Sequence, residues 1–251
     1  MSGAPVLETR GLSKSFGGVR AVDGVSLALP KGEIRALIGP NGAGKTTFFN
    51  MLTGQLQADA GQVLFKGQRL SGLPPWAVWR RGISRTFQIT ATFATLTALE
   101  NVQVARLSHA RRTYALLVRA SRLEVEPARG LLEQVGLSDQ AGRPAAVLAY
   151  GDLKKLELAM ALANDPEVLL LDEPTAGMAP AERGALMALT ERIARGRALT
   201  VLFTEHDMDV VFAVADRIMV LHQGRVIAEG KPAEVRAEPE VQRVYLGEEE
   251  E

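Results

Sequence analysis

No cysteine occurs among the 251 residues. That removes disulfides, thiolate–zinc sites and cysteine nucleophiles from consideration, and it fits a reducing compartment. No sign of charge dominates either, because 29 basic side chains face 29 acidic ones. A chain so balanced has no global field to draw it onto nucleic acid, although a local patch could still do so. No apolar stretch approaches the roughly 20 residues that a bilayer crossing takes. The longest purely aliphatic run, Val168–Leu171, suits a buried strand instead. Met1–Arg10 has no basic flank leading into an apolar core, so it does not read as a secretory signal. Internal repeats and low-complexity linkers are missing too. The length then allows one large α/β domain or a core with a subdomain.

What is present is organised around Gly39-Pro40-Asn41-Gly42-Ala43-Gly44-Lys45-Thr46-Thr47, which matches the phosphate-binding pattern G-x-x-x-x-G-K-[ST]. Glycines let the backbone curl until successive N–H groups point at a phosphate. A following helix puts the positive end of its dipole at the same place. Lys45 can reach the β- and γ-phosphates, and the Thr46 hydroxyl can ligate Mg²⁺. The setting fits: apolar Ile34–Ile38 precedes the loop, and Phe48, Phe49, Met51 and Leu52 follow at helical spacing.

A second signal is Val168-Leu169-Leu170-Leu171-Asp172-Glu173. The aliphatic run predicts a strand buried on both faces of a parallel sheet. Ligands of such sheets bind at the carboxyl ends of the strands, where the phosphate loop also belongs. Asp172 can therefore hold Mg²⁺, directly or through water, and Glu173 can polarise an attacking water. Ala198–Phe203 predicts another buried strand, and His206 just beyond it can face the same γ-phosphate.

The remaining segments carry weaker signals. Residues 6–29 read as strands, 44–53 as a helix closed by Gly54, Gln62–Phe65 as a strand, and Ile83–Gln88 as a short strand-like piece. Phe16 is either an aromatic plate for adenine or a core residue. Gln88 is either a ligand for Mg²⁺ or water, or a surface amide at a strand end. Residues 91–150 read as an inserted helical subdomain. In it Arg106, Arg111, Arg112, Arg119 and Arg122 form either a solvated helix face or a contact for nucleic acid or an acidic partner. Leu148–Asp152 precedes an amphipathic helix with Leu153, Leu156, Met160 and Ala163 on one face. Asp152 stands where a cap is favoured, and Gly151 leaves the local N–H groups open as a second anion site. A helix over 208–215, a hairpin over 217–228 and a helical tail from Lys231 to the acidic end complete the chain.

Taken together, these motifs resemble the ATP-binding subunit of ABC transporters over nearly the whole chain. Residues 39–47 match Walker A and Gln88 the Q-loop. Leu148–Asp152 takes the place of the signature motif. Asp172 with Glu173 match Walker B and its catalytic glutamate. Ala176–Ala179 holds the D-loop place, His206 that of the switch histidine, and Phe16 that of the aromatic adenine contact. Within the family the chain is most similar to ATPases of branched-chain amino-acid importers, through LAYGD at 148–152, DEPTAGM at 172–178 and VYLGE at 244–248. Urea importers and the ATPase of the lipopolysaccharide exporter are similar near the C-terminus. The chain departs from the family pattern at Ala149, Tyr150, Asp152 and Ala179, so contacts normally made by side chains there are in question. ABC ATPases outside transport carry a coiled-coil insertion or tandem units that this chain lacks, and a small-molecule kinase would not account for the signature position.

The resemblance implies a RecA-like P-loop NTPase core with a mostly parallel sheet (1–90 and 155–230), an N-terminal antiparallel β part, a helical subdomain (91–154) and a helical tail (231–251). It implies ATP and Mg²⁺ as ligands, with the cation held by Thr46, Gln88 and Asp172. Glu173 would activate water and His206 would contact the γ-phosphate. Nucleotide would bind residues 39–47 and Phe16 of one copy and Tyr150, Gly151 and Asp152 of the other, in a head-to-tail homodimer or a heterodimer with a homologous subunit. The expected partners are integral membrane permeases, met through the region Gln88–Asn101, and through them a solute-binding protein. This places the chain peripherally on the cytoplasmic face of the membrane, with no nucleic-acid partner.

Overall fold

A computed structural model describes residues 4–86, 92–109 and 123–246. Two sheets and a helical layer make up the molecule. The larger sheet has six strands in the order β10-β9-β3-β8-β7-β6. These are β3 (Ile34–Ile38), β6 (Ile83–Arg85), β7 (Val168–Asp172), β8 (Thr200–Thr204), β9 (Arg217–His222) and β10 (Arg225–Gly230). Five of them run parallel, and β10 returns antiparallel as one edge. The smaller sheet is antiparallel, ordered β2-β1-β4-β5, from β1 (Leu7–Phe16), β2 (Val19–Leu29), β4 (Ala60–Phe65) and β5 (Gln68–Arg69).

The parallel strands are aliphatic because both of their faces are covered. Their side chains divide with period two. Ile34, Ala36, Ile38, Leu169, Leu171, Val201 and Phe203 enter one core. Leu37, Val168, Leu170 and Leu202 enter the other. The second core is closed by α1 (Lys45–Leu52) and the antiparallel sheet, the first by helices. Those helices are α3 (Ala98–His109), α4 (Val125–Gln134), α5 (Tyr150–Ala161), α6 (Pro180–Arg197) and α7 (Met208–Val214). A short α2 (Pro75–Arg80) precedes β6, and α8 (Pro232–Ala237) with α9 (Pro239–Leu246) end the described chain.

Several expectations change. The strand expected from Ala198 starts at Thr200, because Ala198 is the left-handed cap (φ 51°) that ends α6. The strand expected over Ile83–Gln88 is shorter, Ile83–Arg85, and Gln88 itself lies outside the described residues. The division expected at residue 154 falls inside α5, which runs unbroken from Tyr150 to Ala161. That helix is not amphipathic in the expected way. Leu153 and Met160 are only half-buried and Ala163 lies beyond its end. Lys154 and Glu157, by contrast, are buried and paired at 3.2 Å. A helix enclosed between α3, α4 and α6 leaves little room for a solvent face, so its charges must satisfy one another.

Arg106 also departs from the picture of a solvated face. Its guanidinium donates to the Ala163 carbonyl at 3.0 Å and to Asp165 at 2.8 Å, and it pairs with Glu124 at 3.3 Å. It ties the helical layer to the loop after α5. Arg111, Arg112, Arg119 and Arg122 lie outside the described residues.

Candidate functional site

The phosphate loop links β3 to α1, as its sequence context requires. Two of its glycines have no substitute. Gly39 has φ 154°, and a Cβ there would stand 2.1 Å from the Leu221 carbonyl oxygen. Gly44 has φ 100°, and its Cβ would stand 2.1 Å from the Ala21 carbonyl oxygen. The loop is thus wedged between β2 and the β9–β10 hairpin. The Gly224 N–H donates to the Ala43 carbonyl at 3.0 Å, and the Asp23 N–H donates to the Gly224 carbonyl at 2.8 Å. No acidic side chain occupies the first turn of α1, so the positive end of its dipole is left uncompensated by its own helix.

Asn41, Gly42, Ala43, Gly44, Lys45, Thr46 and Thr47 line a crevice of about 190 Å³ together with Ala21 and Glu173. Gly39 and Pro40 are not part of its lining but supply carbonyls to the Lys45 ammonium at 2.5 and 3.0 Å. Burial holds Lys45 below the usual lysine range, against the opposing pull of Glu173 and Asp172. A lysine folded onto its own loop is a charge already partly desolvated, and an anion reaching it would replace two neutral carbonyls with an ionic partner.

Strand ends stand beside the loop, and of their residues Glu173 lines the crevice. Asp172 ends β7 and is 3 % exposed. The Thr204 hydroxyl, at the end of the adjacent β8, donates to Asp172 Oδ1 at 2.9 Å. Glu173 follows in the left-handed region (φ 48°), a conformation that costs a non-glycine residue about 1–2 kcal/mol. Its N–H donates to the Thr204 hydroxyl at 3.0 Å, which holds the turn in place. His206 Nε2 and Glu173 Oε1 share a hydrogen bond of 2.8 Å. Buried Glu205 accepts from the Thr175 N–H at 2.9 Å and from the Thr175 hydroxyl at 2.6 Å, bracing the loop after β7.

Not every anticipated residue enters the crevice. Tyr150, Gly151 and Asp152 form the first turn of α5 and do not line it. Asp152 is not the helix cap. The cap is Ala149, which offers no side-chain acceptor, and Asp152 pairs instead with Lys155 at 2.9 Å. The Tyr150 hydroxyl donates to the Ala176 carbonyl at 2.8 Å, tethering the start of α5 to the loop that carries Gly177 and Met178. Phe16 is 50 % exposed at the end of β1, which removes the core alternative for it. It sits on the same hairpin that delivers Ala21 to the crevice.

One residue escaped the sequence reading. Arg85, at the end of β6, donates to Asp172 Oδ2 at 2.7 Å. Its signal was a charge in a short buried strand, which demands a buried partner.

Glycine cradle, buried lysine and Glu173 line one crevice at the carboxyl edge of a parallel sheet, with Asp172 at the end of β7 and His206 just past β8 beside it. Residues 22–176 match the ABC transporter family, and residues 225–251 match the branched-chain amino acid ATP-binding cassette transporter family. The chain belongs to the ATP-binding cassettes of ABC transporters. This cassette is 41 % identical to the high-affinity branched-chain amino acid transport ATP-binding protein BraF of Pseudomonas aeruginosa, over 97 % of this chain and 98 % of that one. It is 42 % identical to LivG of Escherichia coli K12, a protein of the same description, with the same coverage. Among solved structures it resembles an ABC-transporter cassette in its ADP conformation, with TM-score 0.86 and 32 % identity over 96 % of this chain and 98 % of that one. It also resembles a dimeric cassette bound to ADP and phosphate after hydrolysis, with TM-score 0.77 and 25 % identity over 90 % and 98 % of the two chains. The cassette is an ATP-hydrolysing enzyme of transport. Among the described residues no helix is long and apolar enough to cross a membrane.

Proposed function

We propose that this cassette hydrolyses ATP to drive import of branched-chain amino acids or related amino acids and amides. The observation that carries the enzymatic part is the Glu173–His206 pair standing at the Lys45 crevice. Lys45 and the N–H groups of residues 41–47 bind and orient the triphosphate. Glu173 holds the attacking water and takes up its proton. His206 steadies that carboxylate and reaches the γ-phosphate. Phe16 offers an exposed ring face for the adenine. Thr46 and Asp172 are hard oxygen donors of the kind that Mg²⁺ prefers when it keeps several waters and phosphate oxygens, and Gln88 is the third expected ligand. The cation, when bound, supplies charge neutralisation between the β- and γ-phosphates.

Tyr150, Gly151 and Asp152 complete the site of a second copy, in a homodimer or a heterodimer with a homologous subunit. That reading is supported by the dimeric structural relative. The import assignment rests on BraF and LivG, each matched over 98 % of its length. It carries with it membrane permeases as direct partners, a solute-binding protein as an indirect one, and a peripheral place on the cytoplasmic face of the membrane.

Glu173→Gln tests the mechanism. It keeps hydrogen-bonding shape but not basicity, so hydrolysis should fall about 10²- to 10⁴-fold while ATP binding persists and a nucleotide-bound dimer accumulates on size exclusion. Turnover near wild type would remove Glu173 from the role of base. Co-purification with the permeases, followed by amino-acid-stimulated ATPase assays, tests the cargo.

A further inference from the structure

Arg85 does something that the reading above does not use. Its side chain is 8 % exposed, and it forms a buried ion pair with Asp172. Its Nη1 donors are spent on α1 and the turn after it. Nη1 donates to Asn50 Oδ1 at 2.6 Å and to Gln55 Oε1 at 3.0 Å, with the Thr53 hydroxyl at 3.4 Å. The guanidinium lies 5.6 Å from the Phe49 ring centroid. Nε is buried with no hydrogen-bond partner, so the fork is aimed at these acceptors at the expense of one of its own donors. One planar cation therefore bolts the helix that opens at the phosphate loop to the end of β7.

The consequence falls on Asp172. Oδ1 is taken by the Thr204 hydroxyl and Oδ2 by Arg85. Each oxygen thus carries one donor, and a divalent cation that draws on the Oδ2 side of this carboxylate, directly or through water, shares that oxygen with a guanidinium. Like charges oppose each other there, while the same positive charge attracts a triphosphate. We infer that Arg85 is a positioning residue that sets the divalent-cation affinity of the nucleotide site, by competing for Asp172 Oδ2 and lending its charge to metal-free nucleotide. This rests on the reading of Asp172 as the cation-facing carboxylate.

The effect has a signature that a scaffold residue would not produce. Losing a scaffold weakens every ligand together, whereas losing a competitor moves two affinities in opposite directions. Trinitrophenyl-ATP fluorescence on the full chain, in EDTA and then along a Mg²⁺ titration, reads both. For Arg85→Gln the metal-free affinity should weaken about fivefold, and the half-saturating Mg²⁺ concentration should drop about fivefold. Arg85→Lys keeps the charge but cannot grip Asn50 and Asp172 at once. Its metal-free affinity should stay within about twofold of wild type while its Mg²⁺ midpoint still drops. Parallel weakening of both affinities overturns the inference, as does an unmoved Mg²⁺ midpoint in Arg85→Lys, which decides the matter if Arg85→Gln fails to fold. A wild-type chain whose nucleotide binding ignores Mg²⁺ would take down the assignment of Asp172 and this inference together. A responsive wild type beside unresponsive variants would sink the inference alone.

Discussion

The N-terminus of α1 and the N-terminus of α5 both follow a loop, and both present backbone N–H groups, but the first is closed by its own chain and the second is not. At α1, Gly39 and Gly44 press against the carbonyls of Leu221 and Ala21, and Lys45 is buried over the loop. At α5, a Cβ on Gly151 would meet nothing nearer than Glu182 Oε1 at 3.5 Å, an ordinary contact. Tyr150 beside it is 44 % exposed. Glycine in the phosphate loop is demanded by this fold. Glycine at the start of α5 is not demanded by any contact within the chain. A nucleotide held by a second copy would supply such a demand.

Three substitutions can break or sharpen this contrast. The largest effect belongs to Gly44→Ala, where a Cβ collides with backbone and the residue must hold φ 100°. We expect a loss of about 3 kcal/mol or more in urea unfolding and no measurable nucleotide binding. A stable, ATP-binding Gly44→Ala protein would remove the steric half of the comparison. Gly151→Ala should do the reverse. Its stability should hold or rise by up to about 1 kcal/mol, since alanine suits a helix better. Monomer affinity for nucleotide should stay unchanged, while hydrolysis falls roughly tenfold or more through loss of close approach at the helix tip. If unfolding instead shifts to lower denaturant, the chain itself needs that glycine. Tyr150→Phe is the smallest change. It deletes the hydroxyl bound to the Ala176 carbonyl and should cost about 0.5–1.5 kcal/mol. Amide exchange at residues 176–178 should quicken; protection equal to wild type would show that the tether holds nothing in place.

How far the site could be read in advance followed from how its parts are spaced. The phosphate loop is contiguous, and its glycines announce their backbone needs directly. Asp172 and Glu173 were legible because an aliphatic run points to the strand whose end they occupy. Arg85 was not, because its partner lies 87 positions away and only the pairing of β6 with β7 brings them side by side. Asp152 looked like a cap by proximity to a helix start, yet the helix begins two residues earlier and turns that carboxylate toward Lys155. Phe16 taken by itself suited a core and a ligand face equally; the family resemblance favoured the ligand face, and its exposure removes the core alternative.

Local chemistry, which the residues carry wherever they are placed, determined the cradle, the lysine, the paired carboxylates and the alternation of sheet and helix. Tertiary structure alone decided the matters that depend on distance between remote segments: which donors saturate Asp172, that Tyr150 leans on Ala176, and that Arg106 turns inward. The backbone needs of loop glycines and the strand-forming bias of aliphatic runs are short-range consequences of residue type. The choice of partner for a buried charge is made by chain crossings that no stretch of sequence contains.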